Sequence, residues 1–575
     1  MIRLFRFLKP YTGSVIAVLA LMFFQSLSQL YLPTLMADIV DIGIVNGDTN
    51  YMIRVGGLML LVAAAGSICA ILASLLSAKT ATGFGKTLRN RVFSRVGSFS
   101  LHEFDRIGTA SLITRTTNDI TQIQQVVLML LRMMAMAPMM CVGGVIMAVS
   151  MDATLSLVIV AVIPLLAAAI LVVARKGMPL FKTIQGKLDR LNLVLREGLT
   201  GIRVIRAFNR INYEKKRFSD ASLDLTDTTI KVHRIMAVLM PGMMLVLNFT
   251  TIAIIWFGGI RIDNGNMQVG SLMAFIQYVM QIMFSLIMVS MVFVMIPRAS
   301  ASAVRINEVF DIAPGIQDPE HAKNADFGKG LVEFNDVTFS YPGAERPAVS
   351  NISFSARPGE VTAIIGGTGS GKSTLVNLIL RFYDVDSGSI LIDGVDIREM
   401  TQESLRTKIG FVPQTSILFT GTIADNIRYG REDATDEEIE RAARIAQAAE
   451  FISGMKEGYE TVIAQGGTNV SGGQKQRLSI ARALVRRPEI YVFDDSFSAL
   501  DFKTDAKLRE ALKRETADAA VILVAQRVST VMDADRIIVM DEGRVAGIGK
   551  HKELMSTCGI YREIVSSQLS EEELA

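Results

Sequence analysis

The sequence predicts an all-α membrane domain of six transmembrane helices fused to a cytoplasmic α/β domain. Three observations lead to this fold class. Half of the 575 residues are hydrophobic and the mean hydropathy is +0.37, which is too high for an ordinary soluble enzyme. Most of the 30 methionines and all the long uncharged runs precede residue 300. Beyond it the chain becomes polar and alternates short apolar runs with helical patterns. We therefore expect a membrane domain at 1–310, a linker at 311–329 and an α/β domain at 330–575.

The apolar half contains six runs that are almost free of charge. Each is close to the ~20 residues that a helix needs to cross a hydrocarbon core of about 30 Å. A helix buried in a soluble core can explain one such run but not six in series, so a soluble module is excluded. The expected spans are 14–36, 55–78, 130–150, 153–174, 236–260 and 270–296.

Basic residues fix the orientation of these spans, because loops rich in Lys and Arg stay in the cytoplasm. A secretory signal is excluded, since the first run is too long and five more follow. The small net charge of +3 reflects this orientation and indicates no nucleic-acid surface. Both termini are expected in the cytoplasm of a multi-pass protein of the cell membrane. The basic groups are Arg3, Arg6 and Lys9, then Lys79, Lys86 and Arg89, then Arg175, Lys176 and Lys182.

The two inner loops, 79–127 and 175–235, are longer than a connection between neighbouring spans needs, and both have a helical pattern. Segments 102–119 and 196–218 mix apolar and charged residues around glycine. This composition predicts an elbow that docks on another domain, although a solvated hairpin remains an alternative. Residues 311–329 are rich in Gly, Pro and Asp, which is typical of a linker.

The segment VTAIIGGTGSGKSTLVNLIL (361–380) has an apolar run, a glycine loop and an amphipathic helical run in that order. This is the context of a P-loop, whose backbone amides converge on phosphate oxygens at a helix N-terminus. Lys372 is expected to reach the β- and γ-phosphates and Ser373 to bind Mg²⁺. The predicted nucleotide-binding residues are Gly366, Gly367, Thr368, Gly369, Ser370, Gly371, Lys372, Ser373 and Thr374.

A second strand, IYVF at 490–493, ends in Asp494. A carboxylate at this position can hold the water shell of Mg²⁺. The strand alone is weak evidence, but together with the P-loop it indicates a complete nucleotide site. The predicted metal-binding residues at this point are Ser373 and Asp494, and the predicted cofactors are ATP and Mg²⁺.

The segment NVSGGQKQRLSIARAL (469–484) lies just before this strand. The order P-loop, SGGQ, strand and Asp resembles the nucleotide-binding domain of an ABC transporter. With six spans and long inner loops before it, nearly the whole chain is similar to an ABC exporter half-transporter of the multidrug and lipid type. The resemblance implies ATP-driven export of hydrophobic or amphipathic small molecules, either drugs or lipids.

The resemblance also implies roles for further residues. Tyr341 matches the aromatic residue that stacks on adenine, and Gln414 matches the glutamine that touches Mg²⁺ and the contact with the membrane domain. In the family, two ATPase domains enclose two ATP molecules head to tail, so the signature loop of one chain meets the γ-phosphate held by the other. Val470 replaces the usual Leu before this loop. The matching signature residues are Ser471, Gly472, Gly473 and Gln474.

Three residues depart from the family pattern. Asp495 follows the Mg²⁺ aspartate where the family usually has the catalytic Glu, and it is shorter by about 1.3–1.5 Å. A misplacement of about 1 Å can cost about a hundredfold in rate. Gln526 stands in place of a His that contacts the γ-phosphate, and Gln cannot carry a proton. Gln465 stands in the loop before the signature, at a position where the family commonly has Glu. Asp495, Gln526 and Gln414 are the predicted catalytic residues of a pocket that binds ATP and cleaves it slowly.

This pattern resembles one subunit of a heterodimeric bacterial ABC exporter with one degenerate ATP site. The partners implied are a second, non-identical ABC half-transporter, the lipid bilayer and a hydrophobic small-molecule substrate, without nucleic acid. A nucleotide-gated channel, a regulatory subunit and a siderophore importer on the exporter fold remain alternatives. Gln277, Gln281 and Ser285 recur at four-residue spacing in the last span, and they are the candidate wall of a substrate cavity.

Overall fold

The structure, a computed structural model, describes residues 1–323 and 329–568. It divides into two compact units, one formed by Met1–Gly97 with Thr109–Ile312 and the other by Ser98–Gly108 with Ala313–Ala575. The expected linker at 311–329 includes residues 324–328, and the expected α/β domain includes 569–575. Both of these stretches lie outside the described residues.

The first unit is built from long helices, several of which extend far beyond the length of an apolar span. The six longest are Thr12–Asp38, Thr49–Gly97, Ala135–Met151, Leu157–Thr200, Ile211–Asp263 and Val269–Asp311. Shorter helices are Ile2–Phe5, Thr109–Thr114, Ile120–Met129 and Ile202–Ala207, with a 3-10 helix at Arg6–Tyr11 and π-helical turns at Ile39–Ile44, Arg115–Asp119 and Leu130–Met134.

Five helical stretches of the described residues are long and apolar enough to cross a membrane. They coincide with the first, second, third, fifth and sixth expected spans. The fourth, 153–174, falls on the helix Leu157–Thr200, in which the apolar stretch of fully described residues is Leu157–Ala169. The five are Ile2–Ile44, Thr49–Gly97, Thr109–Met151, Pro241–Asp263 and Val269–Val289.

The polar stripe of the last span packs against the first long helix. The Gln281 amide nitrogen donates to the carbonyl oxygen of Gln29 at 3.3 Å, and the Gln277 amide lies 3.2 Å from the sulfur of Met36. The Ser285 hydroxyl is buried and donates to the carbonyl of Ile282 in its own helix. These side chains therefore meet protein, so the expectation that they form a cavity wall gains no support from their contacts.

A buried carboxylate joins two helical segments of the first unit. The Asp119 side chain is 3% exposed and accepts hydrogen bonds from Ser302 Oγ at 2.9 Å and from Arg305 Nε at 2.8 Å, with a further bond from Arg305 Nη2. A buried charge needs such partners because leaving water is costly. This group holds the segment around Asp119 against the helix Val269–Asp311.

The second unit is an α/β domain with two main sheets. The central sheet has the order β12-β11-β3-β10-β9-β6, parallel except for β12, and an antiparallel sheet has the order β2-β1-β4-β5. The strands are β1 Val332–Phe339, β2 Val349–Ala356, β3 Val361–Gly366, β4 Ser387–Ile392, β5 Val395–Asp396, β6 Ile409–Val412, β7 Gly421–Thr422, β8 Val462–Ile463, β9 Ile490–Asp494, β10 Ala520–Val524, β11 Arg536–Asp541 and β12 Arg544–Gly549.

Helices cover the central sheet because strands such as β9 and β10 are apolar on both faces, as parallel strands buried in a sheet must be. The segment Ser98–Gly108, part of the first inner loop, groups with this unit. The helices are Leu101–Ile107, Lys372–Ile379, Gln402–Thr407, Ile423–Arg428, Asp436–Ile445, Ala449–Ser453, Gly472–Val485, Phe502–Glu515, Val528–Val531, His551–Thr557 and Gly559–Ser566, with 3-10 turns at Gly458–Glu460 and Gln465–Gly467.

Replacing Asp119 by Ala is expected to lower the free energy of unfolding by about 1–3 kcal/mol, because it removes the acceptor of several buried hydrogen bonds. The exposed pair between Arg3 and Asp311 offers a control, since both side chains are more than half exposed. Asp311→Ala is expected to cost at most about 1 kcal/mol. Thermal unfolding of both variants in detergent checks this, and equal shifts would contradict it.

Candidate nucleotide-binding site

The glycine loop lies between β3 and the helix Lys372–Ile379. Gly369 and Gly371 have φ of +83° and +97°, in the left-handed region that glycine adopts without strain. A β-carbon on Gly366 would lie 2.2 Å from the carbonyl oxygen of Met540 on β11, so only glycine fits there. The loop therefore has the tight turn that directs backbone amides to a common point at the helix N-terminus.

Lys372 folds back on this loop. Its ammonium group donates to the carbonyl oxygens of Gly366 at 2.9 Å and Gly367 at 2.7 Å. Burial lowers the pKa of Lys372, and the nearby carboxylates of Asp495 and Asp494 act in the opposite direction. Carbonyl dipoles and the two carboxylates thus stabilise the positive charge of Lys372 at the position where the sequence predicts phosphate.

Asp494 ends β9 beside the first turn of the loop helix. The Ser373 hydroxyl donates to Asp494 Oδ1 at 3.3 Å. Burial raises the pKa of Asp494, the neighbouring Asp495 raises it further, and the Ser373 hydrogen bond opposes the shift. A hydroxyl and a carboxylate side by side are the oxygen donors that Mg²⁺ accepts together with water, so these residues fit the predicted metal.

Asp495 receives two amide donors on one oxygen. Its Oδ2 accepts from Gln526 Nε2 at 3.0 Å and from Gln414 Nε2 at 3.4 Å. Its backbone has φ of +47°, and its N–H donates to the carbonyl of Val524 on β10 at 2.9 Å. Burial raises the pKa of Asp495, whereas the Gln414 bond and the Lys372 charge lower it. The structure therefore brings the three predicted catalytic residues together.

Tyr341 lies next to the loop helix. Its hydroxyl is 3.1 Å from Thr374 Oγ1, and its ring makes an edge contact with Tyr383 at 5.4 Å between centroids. Phe339 packs on Tyr341 at 5.0 Å. Sequence reasoning missed Tyr383, although an aromatic pair directly after the helix, in RFY, was an available signal.

The signature loop is closed on itself. The Ser471 hydroxyl accepts from the Gln474 N–H, and the Gln474 side chain accepts from the Ser471 N–H, which forms a capping box on the helix Gly472–Val485. Ser471 and Gly472 are exposed, while Gly473 is half-buried. Val470 is buried in the hydrophobic cluster of this region. The hydrogen bonds of Ser471 and Gln474 are thus made with each other and leave the helix N-terminus facing solvent.

Two further residues near the site carried no recognised signal in the sequence. Arg527 donates to the carbonyl of Ser498 at 3.0 Å, and its charge lowers the pKa of Asp495. The Gln568 side chain contacts the backbone on both sides of Arg527. Gln465, the third departure from the family pattern, is exposed at the surface.

Both halves of the chain match known families. Residues 15–286 match the model of the ABC transporter transmembrane region, and residues 349–498 match the model described as ABC transporter. The chain is 44% identical over 565 residues to an uncharacterised ABC transporter ATP-binding protein of Mycobacterium tuberculosis, which covers 98% of this chain and 97% of the relative.

Two other similarities cover most of the chain. An ATP-dependent lipid A-core flippase of Desulfotalea psychrophila is 36% identical over 488 residues, which is 84% of each protein. The solved structure of a bacterial Atm1-family ABC exporter with ATP bound superposes with a TM-score of 0.82 at 27% identity, covering 97% of this chain and 99% of that one.

The raised pKa of Asp494 leads to a pH prediction. Its carboxylate must be ionised to hold Mg²⁺, so Mg²⁺-dependent ATP binding is present above that raised pKa and is lost as the pH falls through it. Asp494→Asn is expected to weaken the Mg²⁺ dependence by about 10- to 100-fold at neutral pH. Titration of a fluorescent ATP analogue with and without Mg²⁺ across the acidic range measures this. The same acid-side loss in the Asn variant would contradict the assignment.

Proposed function

This chain belongs to the ABC transporter family, as an exporter whose membrane domain is fused to its ATPase domain, and we propose that it exports hydrophobic or amphipathic molecules as one subunit of a heterodimer. It is a multi-pass membrane protein and a transport ATPase with a cytoplasmic ATPase domain. An ABC ATPase domain binds ATP, normally with Mg²⁺. The heterodimer, the slow pocket and the substrate class are our proposals.

The short side chain of Asp495 and the uncharged Gln526 beside it are the observation that carries the slow pocket. A general base must present a free oxygen within hydrogen-bond reach of the attacking water. The amides of Gln526 and Gln414 donate to Oδ2 of Asp495 and fix the direction of its carboxylate. The other oxygen, Oδ1, is then the one that faces water, and it stands on a side chain one methylene shorter than Glu. Gln526 can donate a hydrogen bond but cannot take up a proton. This favours a pocket in which water is held and activated poorly.

The residues for binding remain complete in the same pocket. Lys372, Ser373 and Asp494 have the chemistry and the contacts that phosphate and Mg²⁺ require. Mg²⁺ supplies charge neutralisation to the phosphates, and this chain's residues orient it. Binding without efficient cleavage is therefore the behaviour that these groups support.

A subunit with a slow pocket needs a faster one elsewhere for full turnover. The signature loop offers an exposed helix N-terminus at Ser471 and Gly472, where a phosphate held by another chain can bind. We propose that this loop completes the competent pocket of a non-identical half-transporter, which supplies its own P-loop, Glu and His. The other partners in this proposal are the bilayer and the substrate.

Drugs or lipids are the proposed substrates. The similarity to a protein named as a lipid A-core flippase favours an amphipathic cargo. Uphill transport into inverted vesicles, driven by ATP and measured with a labelled amphiphile, tests export directly. Passive flux that stops at equal concentrations would indicate a gated channel instead.

The hydrolysis proposal is tested by restoring the family residues. Asp495→Glu together with Gln526→His is expected to raise ATP cleavage at this pocket by about tenfold or more, because the longer carboxylate recovers roughly 1 Å of reach. Single-turnover hydrolysis in nanodiscs is the measurement, on the chain co-purified with its partner. Lys372→Ala gives the background rate. Asp518→Glu, at an exposed position in the loop before β10, is the matched control.

Two outcomes would end this proposal. One is a restored variant whose pocket stays as slow as the original. The other is a protein purified without any companion that self-associates and cleaves ATP rapidly at both sites.

A further inference from the structure

We propose that Gln568 is a positioning residue for ATP cleavage, which holds the segment Gln526–Val528 so that the Gln526 amide meets Asp495. The proposal rests on the function proposed above for this pocket. It assigns a role to a residue that lies 42 positions beyond Gln526 in sequence.

One amide group makes both contacts. Gln568 Nε2 donates to the carbonyl oxygen of Gln526 at 2.8 Å, and Gln568 Oε1 accepts from the N–H of Val528 at 2.8 Å. Only a side chain with a donor and an acceptor at fixed separation can satisfy both groups at once. We call these two hydrogen bonds the Gln568 clamp. The clamp requires a carboxamide, because another polar group would not provide both the donor and the acceptor.

The N–H of Val528 requires an acceptor from outside its own helix. Val528 begins the short helix Val528–Val531, and the first N–H groups of a helix have no acceptor within it. Arg527, at the cap position, provides no side-chain hydrogen bond to the helix. Gln568 supplies the missing acceptor from a separate element, so it defines where this helix starts.

The helix that carries Gln568 is itself fixed. Tyr561 and Val565 are fully buried and belong to the same hydrophobic cluster as Val528 and Val531. The N–H of Gln568 donates to the carbonyl of Val565 at 3.0 Å, which ties its backbone to the end of the helix Gly559–Ser566. The Gln568 side chain is exposed, but it reaches the segment Gln526–Val528 from the end of a helix that is anchored in the core.

Gln526 is thereby held on both sides. Before it, the N–H of Ala525 donates to the carbonyl of Ile364 on β3 at 3.1 Å. After it, Gln568 bonds Gln526 and Val528. The Gln526 side chain then donates to Asp495 at 3.0 Å. Loss of the clamp leaves the β3 contact but frees the segment that follows, so Gln526 loses its fixed direction.

The test compares Gln568→Leu, which cannot hydrogen bond, with the wild-type full-length chain in nanodiscs, with its partner. We expect single-turnover cleavage at this pocket to fall by about 3- to 10-fold, which corresponds to about one hydrogen bond of ordinary strength. The KM for ATP is expected to stay unchanged, because Tyr341 and Lys372 keep their contacts. The control is Ser567→Ala, whose hydroxyl donates to the carbonyl of Ile564 in the preceding helical turn at 2.7 Å.

A double-mutant cycle separates positioning from a general structural effect. If Gln568 acts through Gln526, Gln568→Leu in a Gln526→Ala background is expected to change the rate by less than about 1.5-fold, since coupled sites are not additive. Full additivity, or an equal loss with Ser567→Ala, would overturn the proposal. If the slow-pocket proposal is wrong, the wild-type chain cleaves ATP rapidly. The coupling between Gln568 and Gln526 can be measured whether the wild-type rate is slow or rapid.

Hydrogen exchange provides a second readout that does not depend on activity. The Val528 amide is expected to exchange several-fold faster in Gln568→Leu than in the wild type, because its acceptor is gone. Gln568→Asn, which is shorter by one methylene, gives an intermediate case if the Leu variant fails to fold. Unchanged exchange of Val528 in a folded variant would show that the clamp is absent in solution.

Discussion

The parallel pairing of β3, β10 and β9 is the constraint on which the candidate site depends. Val524 of β10 lies opposite Ile364 of β3 on one side and Asp494 of β9 on the other. Parallel strands end at the same edge, so the glycine loop, the two carboxylates and the segment after β10 meet in one crevice. A slip of one residue would turn Asp494 to the opposite face and separate it from Ser373.

Burial at this edge sets the electrostatics of the pocket. It lowers the pKa of Lys372 and raises the pKa of both Asp494 and Asp495, so the charged form of each group is disfavoured by desolvation. The cation and the carboxylates partly compensate one another. Bound phosphates would add negative charge near Lys372, and a bound metal would add positive charge near the two carboxylates. Asp495 differs from Asp494 because neutral amides, which bring no charge, occupy one of its oxygens.

The site residues could be predicted where their pattern lies within one short stretch of sequence. The glycine loop, Ser373 and Asp494 follow patterns read within 20 residues or fewer, and the structure places Ser373 and Asp494 in contact. The proximity of Asp495 and Gln526 rested on the family resemblance, and their hydrogen bond agrees with it. The role of the polar stripe in the last span stays a prediction, because helical spacing fixes a shared face but leaves open which neighbour covers that face.

The sequence by itself determined the two-part organisation, the membrane spans and the nucleotide chemistry, because hydropathy and glycine spacing act over one helix or one turn. Only the tertiary structure decided that Gln414 and Gln526 share one oxygen of Asp495, and that Gln568 closes on the segment beside them. These contacts join residues from separate elements. Their geometry follows from strand register and core packing, which no short stretch of the chain encodes.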